Sequence, residues 1–125
     1  MMSNEGGSEY PRPLELGERE LIEALLGGMR SGAPRFLGQL ESVAVVGRCR
    51  CGCPSIDLQV GPSASVDAPR PVLLADAESP EGVPVGVILW ARGGALSGLE
   101  VHPWDGAFAI RLPRPETLRN VRTTG

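Results

Sequence analysis

The spacing of apolar residues changes once along the chain, from a helical period to a strand period, and that change orders the expected elements. From Gly17 onward, Leu21, Ile22, Leu25, Leu26 and Met29 recur as one helical stripe. Glu18 and Glu20 stand in the first turn, where the helix dipole favours negative charge, and Gly27-Gly28 weakens the end. The stripe reads as core packing. Pro34 opens a second, shorter helix over residues 34–41, because its missing N–H is not needed at the first helical position; Phe36, Leu37 and Leu40 give it an apolar side. Next, Val43-Ala44-Val45-Val46 is an unbroken run rich in β-branched residues, which predicts a strand covered on both faces. Ile56, Leu58 and Val60 alternate with Ser55, Asp57 and Gln59, which predicts a strand with one buried face. These two runs flank Cys49-Arg50-Cys51-Gly52-Cys53-Pro54 and are expected to pair as a hairpin.

Residues 61–71 have loop composition, and Val72 to Ala77 reads as another strand. A turn over Glu78-Ser79-Pro80-Glu81-Gly82 leads into Val83 to Ala91, with Val85, Val87 and Leu89 on one face and Ile88 and Trp90 on the other. Arg92-Gly93-Gly94 suits a hairpin turn, and Ala95 to Pro103 returns with Leu99 and Val101 inward; Gly98 suits a bulge. Asp105-Gly106 makes a turn, Phe108 and Ile110 a short closing strand, and Pro115 to Leu118 at most a helical turn. Residues 1–13 are expected to be a disordered lead-in, 14–118 a single domain and 119–125 a frayed tail. The expected fold is α+β, with two N-terminal helices packed on one face of an antiparallel sheet of about four to five strands.

Composition narrows the functional classes. At 125 residues the chain fits one domain, and its 17 Gly and 12 Pro favour short elements joined by many turns. A net charge of -3 argues against a nucleic-acid partner, which calls for a basic face. All the basic residues are Arg, a usage that GC-rich coding explains without phosphate binding. No apolar run approaches the roughly 18–20 residues of a membrane span, and residues 1–13 lack the apolar stretch of a secretory signal. The expectation is a cytoplasmic bacterial protein with no membrane association. In a reducing compartment, three cysteines are thiols or metal ligands rather than a disulfide framework.

Candidate chemistry concentrates at those cysteines. Cys49, Cys51 and Cys53 offer three soft ligands and His102, the only histidine, or Asp57 a fourth, which would suit zinc. The one-residue gaps depart from the usual knuckle spacing and force all three sulfurs from a single turn. Arg48 and Arg50 flank the thiols, and guanidinium charge raises the thiolate fraction, so thiol redox chemistry is a further reading. Glu100, His102 and Trp104 share one strand face and, with Asp57, make a candidate interaction surface. No phosphate-cradling loop or metalloprotease helix is present, and no catalytic residue is assigned.

The string at residues 45–58, Val-Val-Gly-Arg-Cys-Arg-Cys-Gly-Cys-Pro-Ser-Ile-Asp-Leu, with Leu96-Ser97-Gly98-Leu99-Glu100-Val101, resembles a family of small uncharacterised proteins of high-GC bacteria that carry a Cys-x-Cys-Gly-Cys-Pro motif. The resemblance spans about residues 14–118 and implies an N-terminal helical segment before a small antiparallel sheet. It carries over no catalytic residue. The expectation is a non-enzymatic binding or interaction protein, of the antitoxin or immunity type, with a protein partner. The alternatives are a zinc-binding protein using the three-cysteine turn, and a thiol redox protein.

Overall fold

The antiparallel meander expected between residues 72 and 103 forms the middle of the sheet in a computed structural model of the chain, which describes residues 10–29, 32–49, 53–61, 66–104 and 110–124. Helices α1 (Leu16–Gly27) and α2 (Ala33–Gln39) precede strands β1 (Val43–Arg48), β2 (Ile56–Val60), β3 (Arg70–Glu78), β4 (Pro84–Arg92), β5 (Ala95–Pro103) and β6 (Arg119–Thr123). The strands form one sheet in the order β1-β2-β5-β4-β3-β6, every neighbouring pair antiparallel. The α+β class is as expected; the strands number six rather than four to five. The second helix covers 33–39 rather than 34–41.

One face of the sheet is dry. Leu21, Ile22, Leu25 and Leu26 of α1 and Phe36 of α2 join Leu73, Val85, Val87, Leu89, Leu99 and Val101 in a single buried core. The strand period of two puts Leu74, Ile88, Trp90, Glu100 and His102 on the opposite side, where each stays half-buried. The turn between β4 and β5 holds Gly93 at φ 58° and Gly94 at φ 83°, two successive left-handed residues that let a two-residue loop match the strand twist.

Four expectations need correction. The run at 43–46 is not covered on both faces: β1 is an edge strand in which Val43 and Val45 are buried, and a bulge between Val45 and Gly47 leaves Val46 39% exposed. The frayed tail expected at 119–125 instead supplies β6, paired with β3 through Leu73↔Thr123, Leu74↔Arg122 and Asp76↔Arg119. Its sequence, Arg-Asn-Val-Arg-Thr, has one half-buried apolar side chain, so it joins through backbone pairing that leaves no hydrophobic period to read. Within the expected lead-in, Arg12 is fixed against β1, its N–H donating to Val45 O at 3.0 Å and its carbonyl accepting from Val45 N–H at 2.7 Å. Residues 1–9 and Phe108 lie outside the described residues; Ile110 is buried in the core but belongs to no strand. Among the described residues no helix is long and apolar enough to cross a membrane.

The turn joining β3 to β4 carries a carboxylate whose pKa lies well below the ordinary value. Glu81 accepts from Arg111 Nε at 2.6 Å, and the guanidinium lowers its pKa to about 2. A depressed pKa adds stability that is present above the ordinary glutamate value of about 4.3 and is lost as pH falls through about 2. The pair is exposed, so its share of the total is small. An NMR titration of the Glu81 carboxyl should show a midpoint well below the ordinary value, and Arg111→Gln should return it to normal.

Candidate functional site

Two backbone irregularities shape the open face of the sheet around β5. Trp90 pairs with Gly98 while Ala91 pairs with Leu96, so Ser97 is an extra residue in β5. That bulge resets the in-out alternation and lets Leu96 and Leu99, three apart, both reach the core. The second irregularity lies in the short β2–β5 ladder, which consists of Ile56↔Leu99 and Asp57↔Gly98. At one end of it, the Ser55 hydroxyl takes the place of a backbone partner, accepting from Val101 N–H at 2.8 Å and donating to Val101 O at 3.1 Å. Past the other end, the Gln39 side chain of α2 substitutes for the departing strand: its Oε1 accepts from Leu96 N–H at 2.9 Å and its Nε2 donates to Gly94 O at 2.9 Å.

A groove of about 520 Å³ opens along this seam. Cys49, Cys53, Ser55 and Asp57 line it from the β1–β2 hairpin, and Trp90, Arg92, Ser97, Glu100 and His102 from β4 and β5. Trp90 Nε1 donates to Glu100 Oε1 at 3.0 Å, which fixes the indole and uses one oxygen of the carboxylate. His102 meets Trp104 edge to face, with ring centroids 5.2 Å apart and planes at 79°. The imidazole lies over Gly86, where a Cβ would come within 2.7 Å of His102 Nε2 and 3.2 Å of Trp104 Cζ2. Glycine at 86 therefore makes the floor on which the two rings rest. Gly86→Ala is expected to swing His102 away while changing stability by no more than about 1 kcal/mol, because the atoms in the way end a rotatable side chain. The check is the His102 Cε1–H resonance, which should lose the ring-current shift from Trp104.

The cysteine turn is closed by Cys49 N–H donating to Ser55 O at 3.1 Å, and Cys53 Sγ lies 3.4 Å from Ser55 Oγ. Of the residues expected to bind metal, Cys49, Cys53 and His102 line the same groove, together with Asp57. Cys51 lies outside the described residues. Among the described residues, no group of three or more His, Cys, Asp and Glu is arranged to hold a metal ion. Of the expected interaction surface, Asp57, Glu100 and His102 line the groove, while Trp104 stands beside it against His102, 56% exposed.

Sequence reasoning placed Trp90 on the open face but gave it no role, read Arg92 as part of the hairpin turn where the structure makes it the last residue of β4, and assigned nothing to Ser97. Arg92 ends β4 on that face, and its Nε is enclosed with no hydrogen-bond partner among the described residues; the same holds for Ser97 Oγ. The signal available was Gly98, which marks a bulge without stating which neighbour is displaced. No family model, curated protein sequence or solved structure matches the chain.

Proposed function

We propose that the protein is a non-enzymatic binding protein of the antitoxin or immunity type, working in the bacterial cytoplasm, whose protein partner docks on the open face of β4 and β5. One observation carries this reading: both tryptophans of the chain stand on the sheet face opposite the helices, beside a groove that also holds an arginine. Trp and Arg are the side chains that most often dominate binding energy at protein interfaces. The exposed Trp104 and the ordered Trp90–Glu100 pair supply an anchor and a preset wall. The family resemblance at the cysteine turn adds a shared architecture to this reading and no activity.

The test is co-purification from native lysate. Wild-type protein should retain one specific partner, Trp104→Ala and Glu100→Ala should lose it, and Leu37→Ser, on an exposed position of α2, should keep it. Recovery of no partner by the wild type would leave the proposal without support.

A zinc-binding reading has one observation in its favour, the shared groove position of Cys49, Cys53, Asp57 and His102. Metal analysis of untagged protein followed by Cys51→Ser addresses it, and a metal-free, fully stable protein would rule it out. The thiol redox reading predicts a thiol that titrates below the ordinary value of about 8.5; thiol titrations at or above that value count against it.

A further inference from the structure

We infer that the groove beside Trp90 is a guanidinium subsite, which receives an Arg side chain of the docking partner. The inference rests on the binding reading above. The register builds the subsite across three strands: Trp90 of β4 pairs with Gly98 of β5, and Gly98 pairs with Asp57 of β2. Gly98 carries no side chain, so Trp90 and Asp57 stand as two walls of the groove with bare backbone between them. Glu100, two residues further along β5 on the same face, closes one end. At diagonal spacing it stands roughly 7–8 Å from Asp57, which leaves room for one planar cation. Its bond from Trp90 Nε1 uses one carboxylate oxygen and holds the indole in place.

The charges lining the groove favour a cation. Asp57 and Glu100 stand against one arginine, Arg92. Neither acid belongs to any ion pair among the described residues; those lie at Arg12–Glu18, Arg19–Glu23, Arg19–Glu41 and Arg111–Glu81. Arg92 does not neutralise Glu100, which pairs with Ile88, four residues along β4 and so roughly 13 Å away at strand spacing. Negative charge therefore remains at the end away from Arg92, on a chain whose net charge of -3 itself draws a basic partner. The aromatic wall decides which cation. Among the described residues no three ligating groups converge to hold a metal ion, whereas a guanidinium stacks on an indole, gains cation–π attraction there and offers a fork of donors that matches a carboxylate. At about 520 Å³ the groove has room for the whole Arg side chain, stem included. Because it is open along the seam, a cation carried on a docked surface is covered by that surface, while a detached one stays in water on one side.

The experiment is an NMR titration of full-length 15N-labelled protein with N-acetyl-arginine N-methylamide and, separately, its neutral counterpart N-acetyl-citrulline N-methylamide. The arginine probe should move the Trp90 indole N–H and Gly98 amide signals saturably, at least about fivefold more tightly than the citrulline probe. Asp57→Asn should weaken arginine binding by about fivefold. Glu20→Gln, which removes the same charge from an exposed site on α1, should leave it unchanged. Gly98→Ala adds a Cβ that stands 3.5 Å or more from its neighbours and so fits the fold; it narrows the floor and should weaken binding at least about threefold with every charge in place. Equal responses to the two probes, no saturable shift, or equal weakening by Asp57→Asn and Glu20→Gln would overturn the guanidinium assignment. Saturation by butylguanidine at least about tenfold tighter than by the arginine probe would overturn its assignment to a side chain of a protein in favour of a free organic cation. The docking reading is judged separately: if the arginine probe fails while Trp104→Ala still releases the co-purified partner, only the guanidinium inference falls.

Discussion

Arg12→Ala is expected to lower the unfolding free energy by about 2–3 kcal/mol. The Arg12 guanidinium grips Glu18 with two bonds, Nη1 to Oε1 and Nη2 to Oε2, each 3.0 Å. Glu18 is only 6% exposed and also accepts from Glu15 N–H at 2.8 Å, completing the reciprocal cap that starts α1. Removing the cation leaves a nearly buried carboxylate with one neutral donor. It also loosens the segment that covers the outer edge of β1 through Arg12 and Val45. The partial exposure of Arg12 keeps the expected loss below that of a fully buried pair. Urea denaturation should place Arg12→Lys between wild type and Arg12→Ala, since Lys keeps the charge without the fork. The double variant Arg12→Ala/Glu18→Gln should recover part of the loss. A change below about 0.5 kcal/mol in Arg12→Ala would show that the pair is solvated and structurally idle.

Gln39→Ala should cost about 2 kcal/mol, because it strands the N–H of Leu96 and the carbonyl of Gly94 together. Those groups sit where β2 has parted from β5, so no strand is available to replace the amide. Gln39→Glu keeps the acceptor for Leu96 and loses the donor to Gly94, and should cost about half as much. Hydrogen exchange at the Leu96 amide is the specific check. It should accelerate in Gln39→Ala by far more than amides in β3, whereas uniform acceleration would mean that the substitution weakens the whole fold and not this junction.

The sequence made the fold's centre legible and its margins obscure, for identifiable reasons. In β4 the core-facing Val85, Val87, Leu89 and Ala91 take every second position, with only Gly86 between them buried as well, under His102 and Trp104, so the period of two assigns the faces. The two helices were legible through the α1 stripe and Pro34. β6 was not, because an edge strand with one apolar residue is held by its neighbour's backbone. β1 misled in the other direction: four apolar residues in a row suggested two covered faces, while the bulge turns Val46 outward.

The site divides in the same way. Glu100, His102 and Trp104 could be put on one face from parity alone. That Asp57 and the cysteine turn border the same groove depends on β2 lying beside β5 rather than β3, a pairing between segments about 40 residues apart with no local signature. Arg92 was legible only as a turn residue, because the enclosure of its Nε and of Ser97 Oγ depends on how β4 and the β5 bulge pack, which no local pattern records.

For a partner docking on the open face of β4 and β5 the chain supplies its own reporters, since its two tryptophans both stand there. The most direct measurement is the pair of indole N–H signals in 15N-labelled protein, recorded before and after binding the partner recovered from lysate. Both signals should shift or broaden, Trp104 most, while amides of α1 stay in place. Partner binding that leaves both indole signals untouched and perturbs α1 would contradict docking on that face.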